Sequence, residues 1–281
     1  EYIIDNQPGV KEPIGMSGVR LDTRVHSITG AITALHNIQK CVNRCGLHMD
    51  QIMLQPLASG QAVLTEDEKE LGVCVIDIGG GTTDIAVYTN GAIRHTAVIP
   101  VAGDLITSDI AHALRTPYVH AEYIKVHHGL AIVDADMEDE MVEVPSVGDR
   151  PMRQVPRSVL AQVIGPRVEE ILELTLHELR RSGFPEEVLN SGVVLTGGAS
   201  LLPGMLDLAE EIFNVPARIG VPQDIPGVSE RVRNPRYATA IGLLQAARGE
   251  AEGKVVGGAV SVGDNKESLW VKLRDWFKNN F

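Results

Sequence analysis

The segment Val73-Cys-Val-Ile-Asp-Ile-Gly-Gly-Gly-Thr-Thr-Asp-Ile-Ala-Val-Tyr88 restricts the folds open to this chain more than any other. Residues 73–78 form a short apolar run that reads as a buried strand. Gly79, Gly80 and Gly81 turn the chain, and residues 85–88 read as the returning strand. Three glycines permit a turn in which successive backbone N–H groups converge on one anion, with no side chain in the way. Thr82 and Thr83 can add hydroxyl donors. Asp77, at the end of the strand, can hold Mg2+ through water rather than sit unpaired in the core. The glycines alone would equally suit a hairpin turn without a ligand; Asp77 and the threonine pair favour a phosphate. No Gly-Lys-Ser/Thr follows, so this is not a P-loop, and a strand rather than a helix comes next, so it is not a dinucleotide fingerprint.

A second strand-to-glycine junction, Gly192-Val-Val-Leu-Thr-Gly-Gly-Ala-Ser200, precedes a helix predicted over residues 201–213. Gly197 and Gly198 let the backbone approach a flat or anionic group near a helix N-terminus, so the two junctions can bracket one ligand. Between them, Glu122 and Lys125 share a helix face, either to meet ribose hydroxyls or as a surface salt bridge.

Strands are also predicted at 24–29, 51–54, 93–98 and 193–195. Helices are predicted at 33–45, 57–64, 104–114 and 158–181, with an insertion marked by the acidic stretch 134–140 and the Pro/Arg-rich stretch 145–157. This alternation is an α/β architecture in subdomains. With 281 residues, 44% of them hydrophobic, the chain can fill a core in two lobes or several subdomains. A formal net charge of -12 sets the molecule as a whole against nucleic acid and anionic membranes, so attraction to either needs a local patch. Cys41, Cys45 and Cys74 make no paired framework and no zinc-ligand spacing, which suits a reducing cytosol. His127 and His128 flank the helix after Lys125 without a third ligand, and 134–140 lacks the glycine and terminal Glu of a calcium loop.

One local patch is the chain end. Leu269, Trp270, Leu273, Trp276, Phe277 and Phe281 share one face of a helix predicted over 268–281, with Lys272, Arg274 and Lys278 elsewhere. Aromatic rings settle at the headgroup boundary and the basic residues meet anionic lipid; the other reading is a terminal helix docked on its own domain. Residues 250–264, rich in Gly, Val and small polar residues, read as a flexible tether and favour the membrane. No apolar run is long enough to cross a bilayer. Arg150, Arg153, Arg157, Arg167, Arg180 and Arg181 concentrate positive charge, as a solvated face or as a receptor for an acidic peptide.

The paired Asp-x-Gly-Gly-Gly-Thr and Thr-Gly-Gly-Ala junctions, with Ala121-Glu-x-x-Lys125 between them, resemble the second phosphate loop, adenosine loop and ribose contact of the actin/Hsp70 superfamily. Pro13-Ile-Gly-Met-Ser-Gly-Val-Arg-Leu21, Leu64-Thr-Glu-Asp-Glu-Lys-Glu-Leu-Gly72, Thr107-Ser-Asp-Ile-Ala111 and Val144-Pro-Ser-Val-Gly148 narrow the resemblance to the FtsA family, over essentially the whole chain. The resemblance implies an actin-like (ribonuclease H-like) α/β fold with an FtsA-type 1C subdomain and a C-terminal amphipathic helix. By it, residues 1–57 are a partial 1C subdomain, 58–71 a linking helix of 1A, and 72–118 with 191–234 subdomain 2A. Residues 119–190 are subdomain 2B, 235–249 a helix returning to 1A, 250–267 a linker and 268–281 the membrane helix. ATP and Mg2+ are the implied cofactors, with Gly103, Glu122, Lys125, Gly197, Gly198 and Ala199 joining the 79–83 loop as contacts and Asp77 facing the metal.

The implied role is to anchor filaments of the tubulin-like FtsZ to the cytoplasmic face of the inner membrane at the division septum. Its partners are the FtsZ tail (at Arg153 and Arg167), other copies of the chain in actin-like filaments, anionic lipids and other division proteins, with no nucleic acid. Any ATPase activity is expected to be weak, since no general base for water stands out. Glu1 falls inside the region corresponding to 1C, which suggests an incomplete N-terminus and leaves the family's first phosphate loop without a counterpart. Weaker ATP binding than in a full-length member is therefore expected. A sugar or acetate kinase would share the ATP loops but needs a catalytic acid or base beside a substrate pocket. An Hsp70-type chaperone needs a β-rich peptide domain, and neither uses the aromatic end.

Overall fold

The structure, a computed structural model, describes residues 2–10, 13–23, 25–133, 140–148, 150–223, 230–251 and 259–261, with 250, 251 and 259–261 as backbone alone. In chain order the strands are β1 (Tyr2–Ile4), β2 (Gln7–Val10), β3 (Leu21–Thr23), β4 (Gln51–Met53), β5 (Val73–Ile78), β6 (Thr83–Thr89), β7 (Ala92–Ile99), β8 (Met141–Val144), β9 (Arg153–Pro156), β10 (Val193–Thr196), β11 (Ala217–Ile219) and β12 (Ala259–Ser261). The α-helices are α1 (Ile32–Arg44), α2 (Gln55–Val63), α3 (Glu66–Leu71), α4 (Gly103–Leu114), α5 (Tyr118–His128), α6 (Arg157–Arg181), α7 (Met205–Phe213) and α8 (Ala238–Ala251).

The glycine segment lies in a five-stranded sheet of order β11-β10-β5-β6-β7. β10 runs parallel to β5 and β11, while β5, β6 and β7 form an antiparallel meander. Its second turn is Asn90-Gly91, both residues at left-handed φ (53° and 70°), as a two-residue hairpin matched to strand twist requires. All of β5 and β10 is buried, because helices cover both faces of the sheet; hence their largely apolar sequences, interrupted only by Asp77 and Thr196 near the strand ends.

Strand periodicity decides what each face meets. Cys74, Ile76, Ile78, Ile85 and Val87 pack with residues of α4, α5, α6 and α7. Val73, Val75, Ala86 and Tyr88 pack with Leu57, Ala62 and Val63 of α2 and Ala238 and Ile241 of α8. Asp77 and Asp84, directly opposed in the β5–β6 register, share the parity of this second face.

Several expected elements differ in extent. The strand expected at 24–29 is found at Leu21–Thr23, where β1 offers a partner; residues 25–30 join no ladder among the described residues, and Arg24 lies outside them. The helix expected at 201–213 breaks at Pro203-Gly204: a 3-10 turn covers Ala199–Leu201, Gly204 takes φ +82°, and α7 begins at Met205. The stretch read as a Pro/Arg-rich insertion contains β9, paired antiparallel with β8. Within the expected tether, β12 pairs antiparallel with β4, an alternating Ala-Val-Ser run meeting an open strand edge. Most of the acidic stretch 134–140, and Leu269, Trp270, Leu273, Trp276 and Phe277 of the aromatic end, lie outside the described residues. Among the described residues no helix is long and apolar enough to cross a membrane.

Candidate functional site

The parallel strands β5 and β10 end side by side, so their glycine junctions emerge at the same edge of the sheet. Between Ile78 and Thr83 the loop is closed by the Gly79 N–H donating to Thr82 O at 2.9 Å. Its carbonyls then cap α4, whose N-cap, Ala102, has no side chain able to do so. Gly103 N–H donates to Gly79 O at 3.0 Å and Asp104 N–H to Gly80 O at 2.7 Å, satisfying two donors that a helix start leaves unpaired.

Gly103 is where the expected contacts meet. A Cβ there would lie 3.0 Å from Gly79 O, 3.4 Å from Ala199 Cβ and 3.6 Å from Lys125 Nζ. Lys125 reaches in from α5 and donates to Gly103 O at 2.9 Å and Thr107 Oγ1 at 2.8 Å, and it pairs with Glu122 Oε2 at 2.7 Å. Thr107 donates a short hydrogen bond to the same Glu122 oxygen. Burial pushes the Glu122 carboxyl up, but the bonds from Lys125 and Thr107 and the Lys125 charge outweigh it and hold the group below its usual range. The pair that could have been a surface salt bridge is thus tied to the loop through Gly103.

Gly197 closes the other side. At φ +85° it lies so near β5 that a Cβ would be 2.4 Å from Ile78 O and 2.5 Å from Asp77 Oδ1, so only glycine fits. Gly198 is roomier, with Arg236 Cβ at 4.0 Å. Ser200 Oγ donates to Gly197 O at 2.8 Å, and Thr196 Oγ1 to Gly220 O at 3.0 Å, fixing the junction from behind.

Two side chains are directed otherwise than the loop sequence suggests. Thr83 has the parity of the α4–α7 face, is fully buried, and donates its hydroxyl to Val101 O at 2.7 Å, away from the loop mouth. Asp77 has one oxygen, Oδ2, already engaged by Ser59 Oγ at 2.5 Å and Thr239 Oγ1 at 3.1 Å. Its Oδ1 lies toward Gly197. Thr82 donates to Asp84 Oδ2 at 2.8 Å. Burial, and after it the Asp77 charge, raise the Asp84 pKa, with the Thr82 bond opposing. Gln55, at the first turn of α2, brings Nε2 to 3.5 Å from Asp77 Oδ2. Gln55, Ser59, Asp84 and Thr239 were not singled out from the sequence. For Asp84 the signal was available, since it mirrors Asp77 across the hairpin.

The two arginines expected to receive a peptide already have partners. Arg167 forms a fork with Asp109, at 2.7 and 3.2 Å, and a short bond to Glu170. Arg153 Nη2 donates a short bond to Leu114 O. In the same region, α5 and β8 border an open cleft of about 420 Å3 whose lining includes His120, Tyr123, His128, Met141, Glu143 and Met152. His127 and His128 end α5, with His127 stacked on Tyr123 at 4.1 Å. Cys41 and Cys45 are exposed and Cys74 is buried, its thiol pushed up by burial. Among the described residues no group of three or more His, Cys, Asp or Glu is placed to hold a metal ion.

The family model for cell division protein FtsA matches residues 74–242, spanning both glycine junctions, α5 and the Asp77 node, and a model for the SHS2 domain inserted in FtsA matches residues 1–29. The chain belongs to the FtsA family of cell-division proteins. Over its full length it is 61% identical to cell division protein FtsA of Neisseria meningitidis, 52% to that of Pseudomonas aeruginosa and 49% to that of Escherichia coli, spanning 68% of each. The FtsA fold is actin-like. An MreB5 of Spiroplasma citri solved with ADP superposes with a TM-score of 0.64 at 19% identity, over 79% of this chain and 66% of that one. MamK, solved as a double helical filament, gives 0.58 at 15% identity over 78% and 66%. The kinase and chaperone readings yield to this family.

Proposed function

We propose that this FtsA-family chain holds ATP with Mg2+ between its two glycine junctions and uses the bound state to control assembly, joining FtsZ filaments to the cytoplasmic membrane at the division septum. The observation that carries the nucleotide half is the convergence of the 79–82 loop, Ala199 and Lys125 on Gly103. The residues fit the ligand. An added Cβ at Gly81 meets nothing within 4 Å, which leaves the loop open above, and Asp77 and Asp84 are hard oxygen donors of the kind Mg2+ takes. Bound Mg2+ supplies charge neutralisation for the phosphates. Lys125 and Glu122 would orient the sugar side, Gly198 would admit a flat ring, and Asp77 and Asp84 would hold the cation. Hydrolysis, where it occurs, is slow, and the nucleotide acts as a conformational ligand through its differential affinity for assembled and free states.

Self-association into actin-like filaments is supported by the fold shared with MamK, whose structure is a filament. Receipt of the FtsZ tail is assigned to the 119–190 region. There the cleft beside β8, lined by apolar side chains together with His120, His128 and Glu143, ends at Met152 next to Arg153, which pairs with Val144 in the hairpin register. Arg167 is assigned a supporting part, since its charge is shared with Asp109 and Glu170. The aromatic, basic end at Leu269, Trp270, Leu273, Trp276 and Phe277 supplies the lipid contact.

Titration with a fluorescent ATP analogue tests the nucleotide half. Saturable binding that is competed by ATP and strengthened by Mg2+ is expected; a flat titration with both ATP and ADP analogues overturns it.

A further inference from the structure

Among the described residues β4 pairs with one strand, β12, which runs antiparallel to it with Met53 opposite Ala259, Ile52 opposite Val260 and Gln51 opposite Ser261. One end of β4 is rooted in the body. Met53 and Leu54 pack against the cluster that holds Leu57, Val63, Val73 and Ile241, and the chain then passes straight into α2. β12 therefore ties the stretch that follows α8 back to the core by backbone hydrogen bonds.

The antiparallel sense decides where the chain leaves. It enters the ladder beside Met53, next to the start of α2, and departs beside Gln51, at the opposite end of β4. The ladder also decides how far the aromatic end can reach. From Ser261 to Leu269 there are eight Cα steps, at most about 28 Å when fully extended. From Ala251, the last residue of α8, there are eighteen, about 63 Å. Closing the ladder thus cuts the reach by more than half and moves its origin to the Gln51 end. Two strands of three residues without a third are only marginally stable, so the chain has access to both lengths.

We propose that β4 is the docking strand for this chain's own residues 259–261, and that the β4–β12 ladder is a clasp that sets the distance and facing of the body at an anionic lipid surface. This rests on the reading of 268–281 as the lipid contact. Closed, the clasp holds the Gln51 end toward the lipid, so that assembled copies face the same way; open, the longer arm lets the body turn.

The test uses the full chain carrying Cys45→Ser, which leaves Cys41 as its single exposed thiol, since Cys74 is fully buried. A donor dye on Cys41 sits on α1, which six residues separate from β4. Energy transfer to an acceptor lipid in anionic vesicles reads the spacing, and amide hydrogen exchange over 51–53 reads the ladder. Ala259→Pro combined with Val260→Pro removes a ladder N–H whichever of the two neighbours faces β4. A second variant inserts about ten Gly/Ser residues after Ser261, lengthening the arm with the ladder kept. Exchange over 51–53 is expected to be about fivefold slower in the parent than in the proline variant, the share of one net hydrogen bond, and unchanged by the insertion. All three proteins should sediment with vesicles alike, while transfer falls at least about twofold in both variants. Equal exchange in the parent and the proline variant, equal transfer in all three, or loss of sedimentation in the proline variant overturns the inference and leaves the lipid reading standing. A parent chain that does not sediment with the vesicles overturns both.

Discussion

At the scale of single residues, the glycines divide into those the fold requires and those it tolerates. Gly197 cannot carry a side chain, whereas Gly81 has open space and no left-handed φ. Gly81→Ala is therefore expected to leave thermal stability within about 0.5 kcal/mol while weakening nucleotide binding, because the methyl occupies the volume above the loop. Parallel melting curves and analogue titrations check it; equal losses in both would show the glycine to be structural. Glu68 gives a pH prediction. It closes the capping box with Thr65 and accepts the Arg218 guanidinium at 2.6 and 2.7 Å. Burial raises its pKa, but the Arg218 and Thr65 contacts outweigh this and hold it below the ordinary 4.5. A depressed carboxylate stabilises fully above its unfolded pKa, and the stabilisation fades as pH falls through the folded one. Glu68→Gln is thus expected to cost roughly 1 kcal/mol at pH 7, after allowance for solvent screening, and to lose stability less steeply on acidification. Denaturant melts across that range measure both effects.

At the scale of elements, legibility followed the range of the interaction that fixed each one. β5 was read at its true limits because its apolar run and the glycines that end it are local, whereas of α5 only the shared helix face of Glu122 and Lys125 was anticipated, without bounds. The direction of Thr83 was legible in principle, since the parity that puts Ile85 and Val87 against α4–α7 puts Thr83 there too. The partners of Asp77 were not, because Ser59 and Thr239 lie 18 and 162 residues away and meet it only once α2 and α8 cross. The β8–β9 hairpin was hidden for a related reason: four residues are too few to establish a period, even where β8 alternates exposed and buried positions, and pairing rather than propensity makes these segments strands. The α2–α8 crossing itself can be tested. Gly242→Ala would put a methyl against Ala58 O and force the helices apart, so a loss of about 1–3 kcal/mol is expected from a substitution that raises helix propensity. An unchanged denaturation midpoint would mean that the crossing relaxes freely.

At the scale of the whole molecule, the proposed membrane role asks an acidic protein to bind an acidic surface. The formal net charge of -12 opposes approach to anionic lipid, so any membrane affinity must come from the aromatic and basic end, where both tryptophans of the chain are found. One short segment gives modest affinity, which multiplies when several copies or an FtsZ filament present their ends together. Replacing Trp276 and Phe277 with glutamine should therefore abolish co-sedimentation with anionic vesicles. It should leave nucleotide binding intact, because the contacts assigned to the nucleotide are made by the glycine junctions, Lys125 and Asp77 and not by these two side chains. For the parent chain, rising salt should weaken the lipid contact without eliminating it, since ring insertion persists when charge attraction is screened. Addition of FtsZ filaments should restore sedimentation at salt concentrations where the chain alone has dissociated. Vesicle binding that survives both substitutions would transfer the lipid contact to other parts of the chain, for which the net charge leaves no ready explanation.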